Sequence, residues 1–168
     1  MTHEHLNNAS HCYEASRFDV LELDVPARGG GTRPYHIVRP NDAVVILPLL
    51  DTSTLVLIRN QRHGVGRTLW ELPAGTLEAD EEPKLCAGRE LTEETGYRAS
   101  KIRELTGFFS CPGFCTERLT AFVAEGLSEA EQSLDITEQI EPMIMSVDEA
   151  MQMVRDNRIE DAKTIATL

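Results

Sequence analysis

A chain of 168 residues, 41% hydrophobic and 26% charged, has the size of one domain with a sizeable core and is short for two. Its 28 acidic and 16 basic side chains give a formal net charge of −12. That argues against nucleic acid or an anionic membrane as the main partner, and leaves an anionic substrate only where a cation or local arginines bridge to it. No apolar run approaches the ~20 residues of a membrane span, and the opening MTHEHLNNAS lacks the basic and then apolar regions of a signal peptide.

Residues 1–14 read as a flexible polar tail, with His3, His5 and His11 as solvated histidines rather than metal ligands. The alternation of apolar and acidic residues in FDVLELDV (18–25) predicts a half-exposed strand. ARGGGTRP (27–34) is a loop. No helical pattern follows its glycines, so it reads as a hairpin connection rather than a phosphate cradle. PYHIVRP predicts a second strand, and the β-branched runs AVVILPLL (43–50) and STLVLIRN (53–60) predict a buried hairpin. TLWELPAG (68–75) begins as a strand and ends as a loop. LTAFVAEG (119–126) and EPMIMS (141–146) are further strands. Ser146 and Glu149 form a capping box for a helix through VDEAMQMVRD, and EDAKTIATL predicts a last short helix. Strands early and helices interspersed later indicate an α/β or α+β arrangement of layers. The four cysteines at 12, 86, 111 and 115 hold one C-x3-C pair and no second pair to complete a zinc tetrad. They read as free thiols of a reducing, cytoplasmic compartment.

The most informative segment is a helix from Pro83, suited to the first helical position, to Thr95, with Gly96 just beyond its end. At ~100° per residue, Leu85, Gly88, Leu91, Thr92 and Thr95 share one side, and Glu90, Glu93 and Glu94 fall nearly opposite. A solvated acidic face is the ordinary explanation. Here Glu90 and Glu94 are a like-charged i, i+4 pair that costs ~0.2–0.5 kcal/mol. Carboxylates at a helix C-terminus also oppose its dipole. Such repulsion is relieved by a bound cation, and convergent carboxylates suit a hard ion such as Mg²⁺, with Mn²⁺ as the other candidate. Arg89, four residues before Glu93, can hold that carboxylate in one rotamer.

The spacing carries more. From Gly75 the chain runs five residues to Glu81, seven more, then RELTEETGY. This resembles, at every defined position, the Nudix hydrolase box G-x5-E-x7-R-E-U-x-E-E-x-G-U, with Leu91 and Tyr97 at the apolar U positions. TLWELPAG before it and CPGFCTE after it are similar to segments of the family's ADP-ribose pyrophosphatase group, with Pro112 as the group's substrate-class marker and Cys111 where serine is usual. The likeness covers roughly residues 12–168. It implies a Nudix α/β/α sandwich around a mixed β-sheet over residues 15–168. Within it, residues 15–40 would form an N-terminal antiparallel β extension that joins two subunits as a homodimer.

The resemblance further implies that Glu90, Glu93, Glu94 and the Ala74 carbonyl hold the metal, that Arg89 orients Glu93, and that Glu81 either contacts metal-bound water or caps the helix. The group's general base is a glutamate on a loop after the box. In SLDITEQIEP (133–142) Glu138 is the first candidate, Glu141 the second and Asp135 the third. Arg62 in NQRHGVGR is similar to the group's phosphate-contacting arginine, and Pro112 and Glu141 are further substrate-contact candidates. Trp70 is either a stacking platform or core. The implied reaction is Mg²⁺-dependent hydrolysis of ADP-ribose to AMP and ribose 5-phosphate. The alternatives are another nucleoside diphosphate sugar such as GDP-mannose, a dinucleotide, or a non-catalytic Nudix-fold sensor. Retention of every box glutamate and Arg89 favours the enzyme. A calcium-binding reading fails because no EF-hand loop spacing is present.

Overall fold

The structure, a computed structural model, describes residues 4–168. His3 lies outside them. The chain divides into two compact units, one built from residues up to Asp42 together with Phe109–Arg118, the other from Ala43–Phe108 and Leu119–Leu168. Residues 15–40, expected as an N-terminal β extension, fall in the first unit. The β extension is larger than expected, because a segment 70 residues downstream joins it.

In the first unit, β1 (Ser10–Glu14), β2 (Phe18–Pro26) and β3 (Thr32–Pro40) form an antiparallel sheet in the order β1-β2-β3. The glycine loop is the hairpin connection expected: Ala27 N–H donates to the Gly31 carbonyl, and Gly30 and Gly31 take φ of 90° and 72°, a region only glycine adopts freely. Residues 10–14, expected as tail, are instead a strand. SHCYE is exposed throughout and held as an edge by β2, so its composition carries no hydrophobic period to reveal it. The 109–118 segment is tied to β3 by Val38, whose N–H donates to the Phe114 carbonyl and whose carbonyl accepts from Thr116 N–H.

The second unit has two sheets. β4 (Ala43–Pro48) lies between β7 (Ala74–Thr76) and β9 (Arg118–Glu129), antiparallel to the first and parallel to the second, and β8 (Tyr97–Phe109) completes the order β7-β4-β9-β8. β5 (Thr54–Arg62) lies between β10 (Ile140–Ser146) and β6 (Arg67–Glu71), all antiparallel. The expected hairpin of 43–60 is thus not one. Leu49 and Leu55 share a single bridge, and the two strands part into different sheets. A run buried on both faces shows that a strand is internal but not which strand it pairs with.

Alternation along β4 explains the layering. Ala43 and Val45, with Leu119 and Ala121 of β9, pack against Leu55, Leu57 and Met145 and against Ala150 and Met153 of α2 (Val147–Arg155). Val44, Ile46, Phe122 and Ala124 point the other way, onto Cys86, Ala87 and Leu91 of α1 (Pro83–Thr95). A mixed sheet with helices on its faces is the α/β class expected. The capping serine of α2 is as read, with Ser146 Oγ accepting from Glu149 N–H at 3.1 Å. The short last helix α3 (Ala162–Thr167) is capped by Asp161.

Candidate active site

α1 begins at Pro83 and ends at Thr95, and Gly96 beyond it, with φ of 71°, makes the left-handed cap that glycine tolerates. The sides of this helix differ from the wheel. Leu85, placed on the apolar side, is 66% exposed, whereas Glu94, placed opposite, is 3% exposed. The buried side runs through Cys86, Ala87, Leu91, Glu94 and Thr95. Glu94 is inside because β7 crosses beside it, and Ala74 N–H donates to Glu94 Oε2 at 2.8 Å. Gly75 is where the chain passes closest to the helix. A Cβ at that position would overlap the Glu90 carboxylate.

Arg89 is the hub of the cluster. Its Nε and Nη2 grip Glu81 in bidentate fashion, both at 2.9 Å. Its Nη1 donates to Glu90 Oε1 at 2.7 Å and to Glu93 Oε2 at 3.0 Å. The orienting contact expected with Glu93 is present, together with two others. Glu81 does not cap α1, since Glu82 is the N-cap residue and makes no side-chain cap. Glu81 Oε2 instead accepts from Glu78 N–H. The Arg89 hydrogen bonds pull the Glu81 carboxyl down to about 2, and Arg89 is itself held further into its protonated form by Glu81.

The remaining carboxylates shift the other way. Burial raises Glu90, against the partial relief of Arg89, with Glu93 and Glu138 adding repulsion. Burial raises Glu94 to about 8. The Ala74 N–H works against this, and the charges of Glu90 and Glu138 add to it. Glu138, 44 residues on from Glu94, is therefore within electrostatic reach of both. It sits in a turn where its N–H donates to the Asp135 carbonyl and its Oε2 accepts from Asp135 N–H at 3.0 Å. Asp135 serves here as a turn partner. Two desolvated carboxylates with a third acid facing them, and one arginine shared among three, form a site with surplus negative charge. A hard divalent cation fits that donor set, because carboxylate oxygens are hard ligands and the ion's charge removes the repulsion.

Arg62 enters the same field, and Glu94 is among the charges that favour its protonated form. Two of its nitrogens are committed to the fully buried Glu71, Nε to Oε1 at 2.8 Å and Nη2 to Oε2 at 2.6 Å. Lys163 Nζ lies 2.5 Å from Glu71 Oε2 and 3.0 Å from Asp161. Burial acts to raise Glu71, but the Arg62 hydrogen bond and the Lys163 and Arg62 charges outweigh it, so the carboxylate stays ionised. Glu71 and Lys163 were missed in the sequence. They stand 92 positions apart, and no local pattern signals such a pair.

Glu141 lies on β10 opposite Arg59 of β5, and their side chains pair at 3.4 Å. Arg59 also stands over the ring of partly buried Trp70, 5.7 Å from its centroid. Arg59, Gln61, Thr68, Gln139 and Glu141 line a shallow, open cleft. Gln61 and Thr68 were also missed. They are a cross-strand pair hydrogen-bonded at 2.7 Å, and only the strand register brings them together. Pro112 is an exposed residue of the 109–118 segment in the first unit, in a turn closed by Cys115 N–H donating to the Cys111 carbonyl.

Known proteins are similar to this chain in sequence and in fold. A NUDIX domain model matches residues 39–168. An ADP-ribose pyrophosphatase of Bacillus subtilis (strain 168) is 38% identical over 148 residues, covering 87% of this chain and 80% of that protein. A methanol dehydrogenase activator of Bacillus methanolicus is 36% identical over 144 residues, with 84% and 78% covered. In fold, the chain is similar to the crystal structure of an ADP compounds hydrolase at a TM-score of 0.83 and 24% identity, covering 96% of this chain and 88% of that one. Box, carboxylate cluster and relatives converge, and the chain belongs to the Nudix hydrolase family.

Proposed function

We propose that this protein hydrolyses ADP-ribose to AMP and ribose 5-phosphate, with Mg²⁺, or Mn²⁺ in its place, held by Glu90, Glu93, Glu94 and the Ala74 carbonyl. The observation that carries the reading is the burial of Glu94 beside half-buried Glu90, with Glu138 close enough to perturb both. The ADP-ribose pyrophosphatase relative supplies the substrate class. Bound there, the metal supplies charge neutralisation of the diphosphate and acidification of a water.

The chain's own residues do the rest. Arg89 fixes the rotamers of Glu90 and Glu93, so that their oxygens are set before substrate arrives. Ala74 N–H does the same for Glu94. Glu138 takes the proton of the water that attacks one phosphorus, the bond from that phosphorus to the bridging anhydride oxygen breaks, and the second phosphate leaves with that oxygen. Arg62 has one nitrogen beyond those bound to Glu71, and it grips a substrate phosphate oxygen. Glu141 and Arg59 border a cleft that suits the nucleoside or the ribose. Pro112 contributes to substrate selection.

The protein works as a homodimer joined through its N-terminal strands. It resides in the cytoplasm, in keeping with four free cysteines. A panel of nucleoside diphosphate compounds, including ADP-ribose, GDP-mannose and a dinucleotide, assayed with and without Mg²⁺ and with product identification, tests the reading. ADP-ribose should turn over fastest and only with metal. Glu93→Gln and Glu94→Gln should abolish turnover, and Glu138→Gln should lower kcat by about 10²–10⁴-fold, the usual worth of a general base. Full metal-dependent rates in Glu138→Gln would remove that residue from the mechanism. Tight nucleotide binding without any turnover would favour the sensor.

A further inference from the structure

The first unit carries a side-chain cluster that the carboxylate site does not use. β2 and β3 set Glu22 opposite His36 in register, and His36 Nε2 stands 3.0 Å from Glu22 Oε2. On the other side of β2, the β1 register shifts between His11 and Tyr13, which leaves Cys12 as an extra residue without a ladder partner. A bulge of this kind re-aims a side chain. The sulfur of Cys12, a carboxylate oxygen of Glu22 and a ring nitrogen of His36 all lie within 4.8 Å of one another. A surface His–Glu pair contributes little by itself, and it needs neither the bulge nor the thiol.

We propose that Cys12, Glu22 and His36 bind a transition-metal ion of the Zn²⁺ class, with a solvent molecule in the fourth position. Donor atoms around tetrahedral Zn²⁺, at ~2.0–2.3 Å from the ion, stand ~3.3–3.8 Å from each other. Side-chain rotations of about 1 Å at the tips would therefore close the set. Cys12 and His36 are exposed and Glu22 is half-buried, so nothing packed around the two former opposes that movement. The donors mix thiolate, imidazole and carboxylate, which selects Zn²⁺ over Mg²⁺. This separates the site chemically from the all-oxygen glutamate cluster. The three ligands come one from each strand, so the ion would cross-link the sheet and pin β1, its fully exposed outer strand.

The test is a Co²⁺ titration of the reduced, chelator-washed full chain, followed by absorption. The expected result is a thiolate-to-metal charge-transfer band that saturates at one ion per chain and is lost on adding Zn²⁺. Cys12→Ser should remove the band and His36→Asn should weaken it. Cys111→Ser, Cys115→Ser and Glu93→Gln should leave it unchanged. No band in the unmodified chain, a band that survives Cys12→Ser, or one that disappears with Cys111→Ser or Cys115→Ser would overturn the proposal.

Discussion

At Gly75 a single hydrogen atom decides whether Glu90 can occupy its place, because any Cβ there overlaps that carboxylate. Gly75→Ala should therefore expel Glu90 from the cluster while β7 keeps its pairing with Val44. The expected result is a fall of about 10–100-fold in Mg²⁺ affinity or metal-dependent rate, the range seen when the support of a ligand is lost. Thermal unfolding measured alongside should change little, and a rate equal to that of the unmodified protein would refute the steric argument. Glu81 offers a second measurement at this scale. Its carboxyl is pulled from 4.5 to about 2 by Arg89, so the folded state holds its proton less tightly than the unfolded chain does. The sign follows: the stabilisation is present above pH 4.5 and is lost as pH falls toward 2. In metal-free acid titrations, Glu81→Gln should be less stable than the unmodified protein at neutral pH, and the two curves should converge toward pH 2. Curves that run parallel through that window would show that Arg89 does not hold Glu81 in this way.

The element that organises the site is α1, and its C-terminal end does more than stop the helix. Its last carbonyls have no partners within the helix, and the segment after β9 supplies them. Ala130 N–H donates to the Gly96 carbonyl at 2.7 Å, Ser133 N–H to that of Glu93 at 3.1 Å, and Gln132 Nε2 to that of Glu94 at 2.7 Å. The loop carrying Glu138 is thereby fastened to the helix that carries Glu90, Glu93 and Glu94. Gln132→Ala should cost about 0.5–1.5 kcal/mol in urea unfolding and lower kcat more than it changes KM, because the candidate base loses its anchor. A change in KM alone would place Gln132 outside the chemistry. Much of this element was legible in the sequence. Pro83, Gly96 and the box spacing gave the helix its bounds and its chemistry. Its buried side was not legible, because a wheel assigns Leu inward and Glu outward, whereas here β7 covers Glu94 and leaves Leu85 in solvent. Strand partners were equally hidden. β8 is a long strand whose exposed lysine, arginine and glutamate obscure its period, and β4 and β5 are apolar on both faces.

Across the molecule, exposed aromatic side chains are unevenly shared between the two units. Among the described residues the strongly exposed aromatics are Tyr13, Phe18, Tyr35, Phe109 and Phe114, all of them in the first unit. The large exposed apolar residues of the second unit are aliphatic. Aromatic side chains are enriched at protein interfaces, where a rigid ring covers area at little entropic cost. The net charge of −12 opposes self-association, so an assembly of this chain has to rest on such contacts and should tighten as salt screens the repulsion. Length and composition average over the chain and carry no sign of this bias. The aromatic bias appears only once Phe109 and Phe114 are seen to belong with β1–β3. If the N-terminal strands join two subunits, sedimentation velocity should report a dimer that persists at higher ionic strength, and the double substitution Tyr13→Asp, Phe18→Asp should shift it toward monomer with secondary structure retained. The two rings lie 6.5 Å apart, so the pair introduces two charges into one patch. A monomer in the unmodified protein, or a dimer indifferent to both charges, would place the interface elsewhere or remove it.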